Sequence, residues 1–90
     1  MFEWDAAKDA ENIRRRGLPF ADAATIFGGP VLEVVDCRRD YGEVRIIAVG
    51  EAWNGEILTV VYTWRGKTRR IISARTASRR ERNGYRAQKP

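Results

Sequence analysis

The 90-residue sequence predicts an α+β fold, in which two N-terminal helices and one C-terminal helix pack on a largely antiparallel sheet. The hydrophobic pattern changes near Val31 from the period of helices to that of strands. The connections between the following strands are short, which favours hairpins because a parallel crossover needs a longer linking segment. The length is enough for one modest core, so a single domain over residues 1–90 is expected.

The first predicted elements are a short strand over Phe2–Trp4 and a helix over Ala6–Arg16. Asp5 is a typical N-cap residue, and Gly17 is typical of the position that follows a helix. One stripe of this helix consists of small or apolar residues, namely Ala6, Ala10 and Ile13.

A second short helix is predicted from residue 20 to residue 27, because apolar residues recur there at the spacing of one helix face. These residues are Phe20, Ala23, Ala24 and Phe27, and the segment ends at Gly28-Gly29-Pro30. The two phenylalanines are therefore expected in the core.

Four segments rich in β-branched residues follow and predict an antiparallel meander. They cover Val31–Asp36, Val44–Val49, Ile57–Thr63 and Thr68–Ala74. A last helix is expected from Ala77 to about Arg86, with either Thr76 or the pair Ser78 and Glu81 at its N-terminus. We expect the helices to cover one face of the sheet and to leave the other face partly open for a substrate.

The alternation of side chains along a strand groups the charged residues. Glu43 and Arg45 fall on the same, less apolar side of their strand, either as a base beside a phosphate site or as a solvated ion pair. On the last strand, alternation places Arg69, Ile71, Ser73 and Arg75 on one side, and Arg70, Ile72 and Ala74 on the other. Which set lies beside Glu43 stays open, since a one-residue change in the preceding turn would exchange the two sides.

The charges are distributed unevenly along the chain. Residues 1–64 contain 7 basic and 11 acidic side chains, whereas residues 65–90 contain 10 basic and 1 acidic side chain, so the net charges are −4 and +9. A concentrated positive field attracts a polyanion, and arginine, which outnumbers lysine here, binds phosphate through a planar fork of donors. Nucleic acid is thus the expected partner, although a charge run can also be a solvated surface.

The sequence contains no histidine and a single cysteine, Cys37. An internal disulfide is therefore excluded, and the usual ligand sets for zinc, copper and iron are absent, so we expect neither a metal nor another cofactor. Proton transfer would have to use carboxylate, lysine, arginine or tyrosine groups. The candidates are Glu43, Glu81, Lys8, Tyr62 and Tyr85, and the side chains that could stack on bases are Trp53, Trp64 and Tyr62.

The sequence has no segment near the length of about 20 apolar residues that a membrane helix requires. Its N-terminus also lacks the order of basic and apolar residues found in a signal peptide. A cytoplasmic location is therefore expected.

The chain resembles the BrnT family of toxins in two groups of residues. The first group is Phe2-Glu3-Trp4-Asp5, Lys8, Asn12, Gly17, Phe20 and Gly42-Glu43 with Arg45. The second and more specific group is Val61-Tyr62-Thr63, Arg65-Gly66 and Arg70-Ile71-Ile72-Ser73-Ala74-Arg75, with Ala77, Glu81 and Tyr85. The resemblance implies a RelE-like ribonuclease fold, RNA cleavage that arrests translation, and neutralisation by a BrnA-like antitoxin that also binds operator DNA.

The resemblance also implies a set of site residues. The catalytic candidates matched by position are Glu43, Arg45, Arg65, Arg70 and Arg75, and the basic field adds Arg69, Arg79, Arg80 and Arg82 as candidates for RNA binding. The chain departs from the family at Arg15-Arg16-Gly17, where Lys-His-Gly is common, so Arg16 replaces a histidine. Two other classes of function stay open: a noncatalytic module that binds nucleic acid or the ribosome, and an assembly partner of an acidic antitoxin.

Overall fold

A five-stranded mixed sheet forms the centre of the computed structural model, which describes residues 1–38 and 40–88. The strands are β1 (Phe2–Trp4), β2 (Val31–Val35), β3 (Ile46–Glu51), β4 (Ile57–Arg65) and β5 (Thr68–Thr76). Their order across the sheet is β1-β5-β4-β3-β2. The meander predicted for the last four strands is confirmed, since each consecutive pair from β2 to β5 is antiparallel. β1 pairs in parallel with β5.

Three α-helices accompany the sheet: α1 (Ala6–Arg16), α2 (Phe20–Ala23) and α3 (Arg79–Gln88). α2 continues into a 3-10 turn over Ala24–Gly28, so the helix predicted as far as residue 27 changes type after one turn. The fold class is α+β as predicted, and the ends of the later strands and of α3 differ from the prediction by one or two residues. In the part of the chain that the structure describes, no helix is long and apolar enough to cross a membrane.

The ends of α1 follow from two residues. The carboxylate of Asp5 accepts hydrogen bonds from the backbone N–H groups of Ala7 (2.8 Å) and Lys8 (3.2 Å), which gives two otherwise unpaired donors a partner. Gly17 adopts the left-handed conformation, with φ at 66°, and its N–H donates to the carbonyl oxygen of Ile13 at 2.7 Å. Both predicted helix ends are therefore confirmed.

The side of α1 that faces the protein is polar, contrary to what an apolar stripe would suggest. The exposed residues include the whole stripe, Ala6, Ala10 and Ile13. Asn12 is buried instead, and its amide donates to the carbonyl oxygen of Leu18 at 2.8 Å. Asp9 accepts from the backbone N–H of Phe20 at 2.8 Å. Polar residues point inward here because they satisfy the backbone of the turn between α1 and α2.

The hydrophobic core lies between the α2 region and one face of the sheet, which we call the core face. The α2 region contributes Phe20, Ala23 and Ile26, and the strands contribute Ala48, Leu58, Val60, Tyr62, Ile71 and Ala74. The prediction that Phe20 is a core residue is confirmed, since it is 1% exposed. Phe27 is partly buried against the same cluster, and its ring centroid lies 5.3 Å from that of Tyr62.

β5 contains a β-bulge at Ile72. Tyr62 on β4 pairs with Ile71, whereas the preceding Val61 pairs with Ser73. Ile72 therefore has no partner on β4. An extra residue of this kind reverses the alternation of side chains beyond it.

The bulge decides which charged side chains share a face. Arg70, Ser73 and Arg75 are paired with alternate residues of β4 and all lie on the face opposite the core face, which we call the second face. Arg69 lies on the core side of the sheet. Simple alternation grouped Arg69 with Ser73 and Arg75 and separated them from Arg70, and it was wrong because it counts every residue of the strand as paired.

α3 packs on the second face, so the prediction that all helices cover one face was wrong. Tyr85 of α3 is 2% exposed, and its hydroxyl donates to the carbonyl oxygen of Pro30 at 2.8 Å. The apolar residues around Tyr85 are Ile57, Ala77, Leu32 and Val49. One end of the second face is apolar and needs its own cover, because exposed apolar area is unfavourable in water. The rest of this face carries both polar and apolar side chains, with Thr59, Ser73 and Arg75 beside Ile47 and Val61.

Candidate functional site

A small cavity of about 150 Å³ opens on the second face, away from the apolar end that α3 covers. Three arginines from different parts of the chain line it: Arg16 at the end of α1, Arg38 in the β2–β3 connection and Arg75 on β5. The remaining lining residues are Ile47, Thr59, Val61, Ser73 and Ala74. We call this space the arginine cavity. Three arginines around a space of this size favour an anionic ligand.

The arginine cavity adjoins a second cavity of about 370 Å³ between α1 and β5. Arg16 and Ser73 line both spaces, and Lys8 and Arg15 line the second one. The two cavities therefore share a boundary that extends the basic surface along α1. A surface of this form can contact more than one phosphate of an RNA strand.

Arg75 is held by a carboxylate on α3. Its Nη1 and Nη2 atoms donate to Oε1 and Oε2 of Glu81 at 2.7 and 3.0 Å. The Glu81 carboxylate also accepts from the Thr59 hydroxyl at 3.0 Å and from the Ser78 N–H at 2.8 Å. The Glu81 N–H donates back to Ser78 Oγ at 3.1 Å, which confirms the capping box rather than Thr76 as the start of α3.

These hydrogen bonds, with the one from Arg75 as the largest cause, lower the pKa of Glu81 from 4.5 to about 2, against the opposing effect of burial. A carboxylate with so low a pKa is a weak proton acceptor at neutral pH. Glu81, a sequence candidate for proton transfer, is therefore better suited to fixing the position of Arg75.

We expect Glu81 to make the stability of the protein depend on pH in the acidic range. Because the pKa in the folded protein is lowered, the stabilisation is complete above about pH 4.5 and is lost as the pH falls to about 2. Arg75 is 43% exposed, so solvent screening limits the effect to roughly 1–2 kcal/mol of the free energy of unfolding. Thermal unfolding across this range measures it. Glu81→Gln keeps an amide for the capping bonds and should show a smaller acid-induced fall in Tm; an equal fall would contradict the expectation.

Arg38 is held by a buried carboxylate, that of Asp36, whose side chain is 1% exposed. The Asp36 carboxylate accepts from Arg38 through its backbone N–H (3.1 Å), Nε (2.8 Å) and Nη2 (2.8 Å), and from the Tyr41 hydroxyl (3.0 Å). The pair with Arg38 keeps the pKa of Asp36 well below its usual range. Asp36 and Arg38 were not among the site residues predicted from the sequence, and Arg16 was noted only as the substitute for a histidine.

A second group of charges lies at the other end of β4. Glu43 is placed between two arginines, with 3.3 Å to Arg45 Nε and 3.4 Å to Arg65 Nη2. The guanidinium carbon of Arg45 lies 4.0 Å from the centroid of the Tyr41 ring. The expectation that Glu43 and Arg45 lie side by side is confirmed, although both precede β3. We call Glu43, Arg45 and Arg65 the Glu43 cluster.

Arg70 lies at the same end of the sheet as the Glu43 cluster. It pairs in register with Thr63, whose hydroxyl donates to the carbonyl oxygen of Val44 at 2.7 Å. Its Nη1 donates to Glu3 of β1 at 2.7 Å. Arg75 pairs four residues away, with Thr59, which corresponds to about 13 Å along the strand. The structure thus divides the five catalytic candidates into two groups rather than one.

The four candidates for RNA binding do not share one surface. Arg79 and Arg80 are exposed on α3, whereas Arg82 donates to the carbonyl oxygen of Ala77 at 2.7 Å. Arg69 lies on the core side of the sheet and is separated from the second face. Its guanidinium carbon lies over three aromatic rings, at 4.2 Å from the centroid of Phe27, 4.6 Å from Trp64 and 5.3 Å from Tyr62.

Burial removes two of the tyrosines from direct chemistry with a substrate. Tyr62 and Tyr85 are 1% and 2% exposed, so Tyr62 cannot stack on a base and neither hydroxyl is open to a ligand. Trp53 and Trp64 are 71% and 45% exposed and stay available for stacking. Among residues 1–38 and 40–88, no three His, Cys, Asp or Glu side chains are grouped so that they could hold a metal ion.

Comparison with known proteins assigns the chain to a family. A family model described as the ribonuclease toxin BrnT of a type II toxin-antitoxin system matches residues 4–81. The structure is similar to the 1.1 Å crystal structure of the Brucella abortus ribonuclease toxin BrnT, with a TM-score of 0.64 and 30% sequence identity over 88% of this chain and 99% of that chain. None of the curated proteins compared with it matches. The chain therefore belongs to the BrnT family of ribonuclease toxins of type II toxin-antitoxin systems.

Proposed function

We propose that this protein is the toxin of a toxin-antitoxin pair and that it cleaves RNA without a metal ion, which arrests translation in the cytoplasm. The observation that carries the proposal is the convergence of Arg16, Arg38 and Arg75 on one cavity of the second face. Membership of the BrnT family supports the same activity, and with it a RelE-like fold.

The proposed reaction is an attack of the RNA 2′-hydroxyl oxygen on the adjacent phosphorus. The bond from phosphorus to the 5′ oxygen of the next nucleotide breaks, which leaves a 2′,3′-cyclic phosphate and a 5′-hydroxyl end. One proton leaves the attacking oxygen and another is delivered to the departing oxygen. Arg75 stabilises the negative charge that builds up on the phosphoryl oxygens, and the bidentate contact with Glu81 keeps its guanidinium in place.

The Glu43 cluster and Arg70 are proposed to hold the neighbouring part of the RNA strand. Arg70 lies about 13 Å from Arg75 along the sheet, a distance at which this group would contact other phosphates than the reacting one. Arg65 is 56% exposed and so has donors open to solvent in addition to its contact with Glu43. The exposed arginines of α3, Arg79 and Arg80, add long-range attraction.

We expect cleavage to persist in the presence of EDTA, because the proposed charge stabilisation uses guanidinium groups. The test incubates the purified chain with an RNA oligonucleotide and identifies the new ends by mass spectrometry. The matched control is the same oligonucleotide with a 2′-deoxy nucleotide at the cleaved position, which should stay intact. Cleavage that returns only with added magnesium would contradict metal independence. Binding without cleavage would favour a noncatalytic RNA-binding or ribosome-binding module.

We also expect a BrnA-like antitoxin to cover the basic region from Arg65 to Arg82, because the net charge of +9 over residues 65–90 favours an acidic partner. Hydrogen exchange of the complex and of the free toxin would locate the partner. Slower exchange should appear in β5 and α3. Protection confined to α1, with residues 65 to 82 exchanging as in the free protein, would show that the partner binds elsewhere.

A further inference from the structure

We propose that Arg38 binds the RNA phosphate that lies in the arginine cavity, and that the buried Asp36 is its positioning residue. The proposal rests on the proposed ribonuclease function and adds to it a phosphate-binding subsite made by Arg16 and Arg38 beside Arg75. Sequence comparison had pointed to neither Arg38 nor Asp36.

Arg38 is held in a fixed position by Asp36. A buried carboxylate needs several hydrogen-bond donors, and Asp36 receives three of its four from Arg38. Two of them come from the guanidinium, through Nε and Nη2, which fixes both the position and the plane of the group. Fixed donors lose little conformational entropy on binding a ligand.

The contact with Asp36 leaves part of the Arg38 guanidinium free to bind a ligand. A guanidinium has five N–H donors, so the two bonds to Asp36 leave three for another acceptor. The Arg38 side chain is 71% exposed and lines the arginine cavity, whereas Asp36 is almost fully enclosed. The same guanidinium can therefore bind Asp36 on one edge and a phosphate oxygen on another.

The charges of the residues around the arginine cavity do not cancel. Asp36 neutralises Arg38, and Glu81 neutralises Arg75. Within residues 1–38 and 40–88, Arg16 has no ion pair or hydrogen bond through its side chain, although its neighbours Arg14 and Arg15 both contact Glu11. The cavity is left with one uncompensated positive charge, and one phosphodiester carries one negative charge.

The first test titrates the full-length protein with inorganic phosphate and follows the arginine Nε–H signals by NMR. We expect the signals of Arg16, Arg38 and Arg75 to shift together, while that of Arg14, on the same helix as Arg16 but outside the cavity, stays in place. Assignment uses the spectra of the single alanine variants. An Arg38 signal that does not respond to phosphate would overturn the proposal, and this result needs no RNA cleavage.

The second test is a double-mutant cycle on RNA cleavage. Asp36→Asn and Arg38→Ala should each lower kcat/KM about tenfold, the size expected for one charge-assisted hydrogen bond. The combination should be no slower than Arg38→Ala alone, because Asp36 acts through Arg38. Asp40→Asn is the matched control, since it removes a carboxylate from the same connection and should leave cleavage unchanged.

The outcomes of the cycle separate a positioning role from a structural one. If Asp36→Asn slows cleavage equally in the Arg38→Ala background, Asp36 supports the fold and the proposal is overturned. Folded single variants that cleave at the rate of the unmodified protein would overturn it as well. If the unmodified protein does not cleave RNA at all, the proposed function fails, and the phosphate titration still decides whether the subsite exists.

Discussion

Arg75→Ala should lower the single-turnover rate of RNA cleavage by roughly a hundredfold and weaken RNA binding much less. Removal of one preorganised donor to a developing oxyanion typically has an effect of this size. Arg75 meets the structural requirement for such a donor, because it lies on an interior strand and its guanidinium is held in place by the two hydrogen bonds that it donates to the Glu81 carboxylate. Arg75→Lys should recover only part of the rate, since an ammonium group lacks the planar fork.

The same contact with Glu81 supplies the competing explanation, in which Arg75 only ties α3 to the sheet. In that case Arg75→Ala would lower the melting temperature, while the folded fraction would cleave at the normal rate. Glu81→Gln separates the two explanations, because it removes the ion pair between α3 and β5 but keeps the arginine: a purely structural role predicts a lower melting temperature with normal cleavage by the folded fraction. Arg14→Ala is the control for loss of one positive charge, since Arg14 lies away from the cavity and contacts Glu11. A stable but slow Arg75→Ala variant supports the catalytic role.

The sequence predicts those parts of the fold that depend on local rules. Asp5 and Gly17 mark the ends of α1 through backbone groups that any helix leaves unpaired, and the structure has both contacts. The Ser78–Glu81 capping box was also visible, as one of two alternatives. The meander follows from the short connections between consecutive strands, because a parallel pair would need a longer crossover connection.

The parts that sequence reasoning missed depend on pairing between distant segments. The amino-acid sequence of β5 does not indicate that Ile72 is unpaired. The bulge depends on how β5 pairs with Val61 and Tyr62 of β4. The whole second face depends on that one residue, since without it Arg70 would lie on the face opposite Arg75. Sequence reasoning therefore identified Arg70 and Arg75 as candidates and assigned them to opposite faces.

The candidate site shows the same limit. Glu43 and Arg45 are two residues apart, so alternation predicts their contact. Arg16, Arg38 and Arg75 are far apart in sequence. They line one cavity only because the C-terminal end of α1 and the β2–β3 connection both approach the second face. A family motif can indicate one member of such a group, as the histidine replaced by Arg16 does, but it does not show which other side chains surround it.

Arg16→His should make RNA cleavage depend on pH in a way that the unmodified protein does not share. Arginine stays charged throughout the usual range, whereas histidine has an ordinary pKa near 6.5. Arg38 and Arg75 line the same cavity, and their positive charges should lower the pKa of the new imidazole, because like charges disfavour its protonated form. The variant should therefore bind phosphate tightly when the pH is below the lowered pKa of the imidazole, and weakly when the pH is above it.

The measurement compares kcat/KM of Arg16→His with that of the unmodified protein from about pH 5.5 to about pH 8, at constant ionic strength. The ratio should fall by roughly tenfold over this range, as expected for the loss of one charge-assisted contact. Arg14→His, on the same helix but outside the cavity, should keep a constant ratio. A constant ratio for Arg16→His would mean that this position does not contact the reacting phosphate. A maximum in the kcat/KM ratio of Arg16→His near the middle of the range would instead show that the imidazole transfers a proton. A group that must gain and lose a proton in each turnover is most effective close to its own pKa.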